Sequence, residues 1–350
     1  VVKCVAFAAP GKLTIPTGGY AYDRRIVMGL RRRGWRVEAL DIGDGFPFPS
    51  AATRASARAR LAALPADRPL VIDGLGLGAL PEVASQLCAR HRLIALVHHP
   101  LALECGLSAA AAAALRSSET LALACVRRVI VTSAATARLV VADYQVPADK
   151  VTVIRPGNDR AAPARAGADG PIALLAVGAV VPRKGYDVLL PALARLLDLP
   201  WRLTIVGDLD RDPDAAARLR ADIARFDLAD RVLVAGAVPA RRLMACYAGA
   251  DVFVLASRFE GYGMAFAEAI AHGVPIVGTT AGAIPETAPA GAGVLVAPDD
   301  VEAFAAAVRR LIEHPAERHR LAAGARAAAA ALPSWDDAAA AFARAIEAAT

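Results

Sequence analysis

The chain has 350 residues, 56% of them hydrophobic, and a net charge of +6 from 40 Lys+Arg against 34 Asp+Glu. That length exceeds what one hydrophobic core supports, so two domains are expected. No run of about 18 strongly apolar residues argues for a membrane-spanning helix. The basic residues also lack the interleaved aromatics of a single-strand nucleic-acid binder, which sets nucleic acid aside as a partner.

In chain order, the opening VVKCVAFAAP reads as a first strand rather than a signal peptide. Short runs rich in Val, Ile and Leu predict strands at 2–8, 36–41, 69–73, 92–97 and 129–131. The scheme repeats at 172–177, 202–206, 231–235, 251–255, 274–277 and 293–296. Such runs, apolar on both faces and separated by helical patterns, indicate parallel sheets covered on both sides, hence the α/β class. The Gly/Pro/Ala/Asp stretch between Pro156 and Pro171 has no periodicity and reads as a linker. The predicted organisation is an N-terminal Rossmann-like domain over 1–158, a linker at 159–170 and a second Rossmann-like domain over 171–333. Helices near 300–312 and 315–331 close the second domain. A last helix over 334–350 is free to pack back on the first. Two such halves would leave a cleft at the carboxyl ends of their strands, where ligands bind in open α/β sheets.

Charge is unevenly placed: residues 1–170 carry +9 and residues 171–350 carry −3. A basic first half suits an anionic acceptor or, less favoured, a membrane surface. Its densest run, Arg31-Arg32-Arg33, falls where the first helix should end, and cations there complement the helix dipole. The five cysteines show no C-x-x-C pairing and no metal-ligand spacing, so buried thiols in a reducing cytoplasm are expected.

The most specific pattern is Arg258-Phe259-Glu260-Gly261-Tyr262-Gly263-Met264 running on to Glu268. It joins a strand to a helix, and its glycines let backbone approach a ligand at a helix N-terminus. Glu260 and Glu268 suit vicinal hydroxyls, since a carboxylate accepts two hydrogen bonds. The alternative is a loop acid and a solvated helix acid. After the strand at 172–177, Arg183 and Lys184 stand in a Gly-bounded loop able to clamp a diphosphate. Lys184 is the one lysine among the basic residues of 171–350, a compact ammonium in a chain that otherwise uses arginine. Pro16-Thr17-Gly18-Gly19-Tyr20 can present backbone N–H groups, although a tight turn needs the same residues. His98 and His99 sit at a strand tip, and the sequence does not choose between them.

Two patterns mislead. Gly74-Leu75-Gly76-Leu77-Gly78-Ala79 has dinucleotide-fingerprint spacing, but Pro81 follows and no acid ends the next strand, so NAD is rejected. The acids from Asp208 to Asp214 contain D-x-D steps, yet read better as the acidic start of a helix at Pro213.

Together PTGGY, VHHPL, TSAATARLVVADYQV, VTVIRPGND, VGAVVPRKG, VGD, FEGYGMAFAEAIAHGVPIVGT, GAIPE and SWDD resemble glycosyltransferase family 4, over nearly the whole chain. The resemblance implies the GT-B fold, with two Rossmann-like domains facing across a cleft. It also implies a retaining, metal-independent glycosyltransferase of hexosyltransferase type, with no cofactor, whose UDP-, GDP- or ADP-sugar donor is a substrate. Donor contacts carried over on these motifs are Arg183 and Lys184 with the diphosphate, Glu268 with the ribose and Glu260 with the sugar. Gly263 and Met264 would meet sugar and phosphate through backbone, and Gly207 and Val238 would lie by the base. Gly18 and Gly19 would close over the donor, with His98 or His99 near the reacting sugar. The implied acceptor is a small molecule, glycan or lipid-linked group, and the implied location is the cytoplasm or the inner membrane face. The rival readings are a non-catalytic nucleotide-sugar-binding protein, a nucleotide-sugar epimerase and a phosphorylase.

Overall fold

The structure, a computed structural model, describes residues 3–15, 17–159 and 170–349. The chain divides into two compact units, Val1–Gly157 with Pro333–Thr350, and Asn158–Leu332. Of the expected linker, only the ends Asp159 and Gly170 are among the described residues, as Pro16 of the PTGGY motif is not.

The first unit holds β1 (Cys4–Ala9), β2 (Arg36–Asp41), β3 (Leu70–Asp73), β4 (Leu93–Val97), β5 (Arg128–Val131) and β6 (Val151–Val153). All pair in parallel, in the order β2-β1-β3-β4-β5-β6. Every residue of β3 and β4 is buried, which is why these strands are apolar on both faces. The strand absent from the sequence reading is β6. It has three residues at the sheet edge, pairs only with β5, and buries none of them fully, so no apolar run announces it.

The second unit holds β7 (Ile172–Val177), β8 (Trp201–Val206), β9 (Val232–Gly236), β10 (Val252–Val254), β11 (Ile276–Thr279) and β12 (Gly293–Val296). These too are parallel, in the order β12-β11-β10-β7-β8-β9. The strand sequence reverses direction between β1 and β3 in one sheet and between β7 and β10 in the other. In open α/β sheets the crevice at such a reversal, beyond the carboxyl ends, is where ligands bind.

Helix starts follow their caps. Thr17 accepts the Tyr20 amide at 3.2 Å to open Gly18–Arg32. Ser334 and Asp337 form a reciprocal capping box that opens Trp335–Ala348. This last helix belongs to the first unit. Its Trp335 ring stands edge-on to Tyr22 at 6.0 Å, and Phe342 meets Phe7 at 6.4 Å. The arginine run ends the first helix as the dipole favours: Arg31 donates to the Val37 carbonyl, and Arg33 pairs with Asp336 at 2.8 Å.

The misleading patterns also resolve. Gly74–Leu77 is a short helix capped by Asp73, and a Cβ on Gly76 would stand 2.5 Å from Ile42 Cδ1, so that glycine serves packing. Asp212 caps the helix Pro213–Arg225 by accepting the Ala215 amide at 2.8 Å. The cysteines depart from expectation: Cys88 is exposed, and Cys4, Cys105, Cys125 and Cys246 are half-buried. Cys88 and Cys125 occupy helix C-caps, positions at the margin of the core. Among the described residues, no helix is long and apolar enough to cross a membrane.

Candidate functional site

The loop leaving β7 turns sharply. Pro182–Lys184 forms one 3-10 turn, and Gly185 then takes φ 67°. A Cβ there would lie 2.0 Å from the Ala256 carbonyl oxygen, so only glycine permits this approach. The turn is thereby pressed against the loop leaving β10. The Arg258 amide donates to the Arg183 carbonyl at 2.8 Å and ties the two loops together. Since β7 and β10 flank the reversal, their loops meet where a ligand is expected.

Glu260 is the centre of this meeting. Lys184 Nζ lies 2.6 Å from its Oε1, Arg183 lies 3.4 Å from its Oε2, and the Ser257 hydroxyl donates to Oε1 at 2.7 Å. Arg183 also donates to the Phe259 carbonyl at 2.8 Å. The Glu260 side chain is 8% exposed and that of Lys184 13%. Burial pushes the Glu260 carboxyl up, but Lys184 and Arg183 outweigh it and hold it below the usual carboxylate range. An ionised acid with two cations in a place this dry leaves net positive charge, the sign a diphosphate requires. From the GAIPE segment, the Ala283 amide donates to the Glu260 carbonyl at 2.8 Å and holds the loop from below.

Glu268 lies on the helix Met264–Ala271, half-buried, and accepts from the Tyr247 hydroxyl at 2.8 Å. Gly263 starts this helix at φ 86° with no side-chain cap, and Met264 is its first residue. Gly207 lies so close to the end of β7 that a Cβ would stand 1.8 Å from the Gly178 carbonyl oxygen. Its amide donates to the Gly236 carbonyl at 3.0 Å, and Val238, half-buried, follows two residues later. The structure thus brings Arg183, Lys184 and Glu260 into direct contact, and sets the Gly207 and Gly236 loops side by side. Arg258, within the most specific motif, is drawn elsewhere: it binds both oxygens of Asp187 at 2.9 Å and Asp299 at 2.7 Å.

In the first unit, Gly18 and Gly19 form the first turn of their helix, and a Cβ on Gly19 would stand 3.2 Å from His98 Cδ2. His98 turns inward, its Nε2 2.9 Å from Asp23 Oδ1 and 3.4 Å from Asp73 Oδ2. His99 instead faces Glu104 at 3.3 Å. Asp23, Asp73 and His98 are also the one group among the described residues whose atoms are close enough to hold a metal, all within 4.8 Å. Ser257, Tyr247, Asp23 and Asp73 were missed from sequence. Asp23 had a usable signal, since it shares the buried stripe of its helix with Ile26, Val27 and Leu30. Asp73 ends a strand, the position from which α/β proteins present functional groups. Tyr247 and Ser257 carried none.

Residues 158–328 match a family model described as Glycosyl transferases group 1. A D-inositol 3-phosphate glycosyltransferase of Xylanimonas cellulosilytica is 39% identical over 50% of this chain and 41% of its own length. An MMP alpha-(1->4)-mannosyltransferase of Mycolicibacterium hassiacum is 30% identical over 85% of this chain and 74% of its own. The chain spans 41% and 57% of two D-inositol 3-phosphate glycosyltransferases it matches. Among solved structures, sucrose-phosphate synthase from Thermosynechococcus elongatus superposes with a TM-score of 0.84 at 22% identity, covering 98% of each chain. HepE of Anabaena, in complex with UDP and glucose, gives 0.79 at 21% identity, covering 99% of this chain and 100% of that one. These likenesses place the fold in the GT-B class.

Proposed function

We propose that this chain, which belongs to the Glycosyl transferases group 1 family, moves a sugar from a nucleoside diphosphate donor to an acceptor hydroxyl, retaining configuration and using no metal. The observation that carries this reading is the buried contact of Lys184 and Arg183 with Glu260 at the strand reversal of the second sheet.

In this reading, Arg183 and Lys184 stabilise the departing diphosphate. The bond from the anomeric carbon to the phosphate oxygen breaks, its electron pair stays on that oxygen, and the acceptor oxygen adds on the same face. The acceptor proton leaves with the diphosphate. Charge develops on the leaving group, so cations already fixed in place favour the transition state over the ground state. The first-turn amides at Gly263 and Met264 add to the same field. Glu260 orients the sugar hydroxyls while holding Lys184 in place. Glu268, held by Tyr247, takes the ribose, and the loops at Gly207 and Val238 flank the base. Gly18 and Gly19 are read as donor contacts and His98 as a contact of the reacting sugar. A site in the cytoplasm or at the inner membrane face suits such a donor.

Purified protein should be melted with UDP-, GDP- and ADP-sugars. One donor class at 100 times its Kd should raise stability by about 2.7 kcal/mol. Turnover should survive a chelator, and the anomeric proton coupling of the product should match that of the donor. A D-inositol 3-phosphate acceptor is the first to assay, by the name of the relatives. Binding without turnover on any acceptor would favour a regulatory protein. No affinity for any nucleoside diphosphate would end the reading.

A further inference from the structure

We propose that Asp23, backed by Asp73, is a positioning residue that fixes the His98 ring through Nε2 and keeps it an imidazolium, leaving Nδ1–H as a constant donor to a substrate oxygen. The proposal deepens the transferase reading and rests on it for the substrate. The state of the ring itself rests only on the first unit.

Three elements converge to build the cluster. Asp23 comes from the helix after β1, Asp73 ends β3, and His98 follows β4, so the group lies at the strand reversal of the first sheet. His98 Nε2 is 2.9 Å from Asp23 Oδ1 and 3.4 Å from Asp73 Oδ2. Both acids are buried: Asp23 is 0% exposed and Asp73 2%. The other oxygen of Asp73 accepts the Leu75 amide at 2.8 Å. The other oxygen of Asp23 is buried without a partner. Two buried carboxylates side by side repel each other, and a cation between them relieves that repulsion.

The ring is also held sterically. Tyr22 lies edge-on to it at 5.3 Å, and Gly19 leaves room for it where any side chain would crowd Cδ2. The titratable groups that face His98 are therefore Asp23 and Tyr22 from one helix and Asp73 from β3, while neighbouring His99 turns to Glu104. Burial pulls the His98 pKa down, but the two carboxylates outweigh it and raise it. Burial raises Asp23 in turn, against the opposing pull of His98. An exposed histidine loses its charge around pH 6.5, whereas this one keeps it through neutrality. A charged N–H donor makes a shorter and stronger bond to a phosphate, carboxylate or hydroxyl oxygen than a neutral ring does.

The test reads the ring directly. In 15N-labelled protein, with the His98 signals identified by their loss in His98→Gln, a pH series should show imidazolium shifts persisting at about pH 8, beyond the ordinary histidine range. In Asp23→Asn the transition should move down toward that range. Turnover in that variant should fall at least tenfold at about pH 8 and recover toward wild type at about pH 6, a profile that lost packing alone would not produce. Should Asp23→Asn fail to fold, the wild-type titration and Asp73→Asn decide instead. Wild-type His98 titrating in the ordinary range overturns the proposal, as does an unchanged titration in a folded Asp23→Asn. A chain without transferase activity would refute the earlier reading while leaving the ring measurement intact.

Discussion

Lys184 Nζ stands 2.6 Å from Glu260 Oε1, although the two residues are 76 positions apart in the chain. The contact joins the turn after β7 to the loop after β10, so the charge proposed for the donor diphosphate also holds the site's own acid. Removing either partner therefore has a structural effect as well as a chemical one.

Lys184→Ala should abolish transfer and also destabilise the second unit by about 3 kcal/mol. That is the low end for breaking a buried pair, because Arg183 and Ser257 still reach Glu260. Adding Glu260→Gln should restore much of the stability and none of the activity. Denaturant unfolding beside a turnover assay checks both. A single variant as stable as wild type would show that the pair is not buried in solution.

Tyr247→Phe removes the hydroxyl that donates to Glu268 at 2.8 Å. If Glu268 holds the ribose, nucleotide affinity should weaken about fivefold to tenfold, the worth of one net hydrogen bond of about 1 kcal/mol. Calorimetry with the nucleoside diphosphate measures it. Equal affinity would detach Glu268 from the nucleotide.

Gly185→Ala forces a side chain into φ 67° and toward the Ala256 carbonyl oxygen. It should destabilise by more than about 1 kcal/mol, as alanine does at positive φ. Gly291→Ala is the control, since nothing lies within 4 Å of the added carbon. The two melting temperatures should separate clearly, and equal values would refute the close approach.

Glu119 accepts the Leu101 amide at 2.9 Å, and burial pushes its carboxyl up to about 8. The fold thus favours the protonated form. The stability this group contributes is whole below about pH 4 and is lost as pH rises to about 8. Glu119→Gln keeps the acceptor and removes the titration. Relative to wild type, the variant should gain melting temperature from about pH 5 to about pH 8 and level off above that. A constant difference across that range would count against it.

Much of the architecture was legible because its cause is local. Strands buried on both faces are built of apolar residues, so β3, apart from Asp73 at its end, and β4 stood out, while β6, three residues at an edge, did not. Arg183, Lys184 and Glu260 could be picked out as candidates because they stand in glycine-bounded turns at strand ends, whereas Glu268 lies inside the helix Met264–Ala271 and was picked out by its spacing from Glu260. Where the Arg258 guanidinium goes was not legible, since nothing in its own segment tells that Asp187 and Asp299 will claim it.

The sequence by itself determined the α/β class, the doubled pattern of strands, and the segments that carry charge to strand ends, because hydrophobic period and turn chemistry act over a few residues. Only the tertiary structure decided which charges meet. Strand order, not chain order, sets neighbours in a parallel sheet, so Lys184 finds Glu260 and His98 finds Asp23, 75 residues away. Tyr247, from a separate helix, reaches Glu268. Those contacts depend on where the sheets reverse, and no short window of residues contains that information.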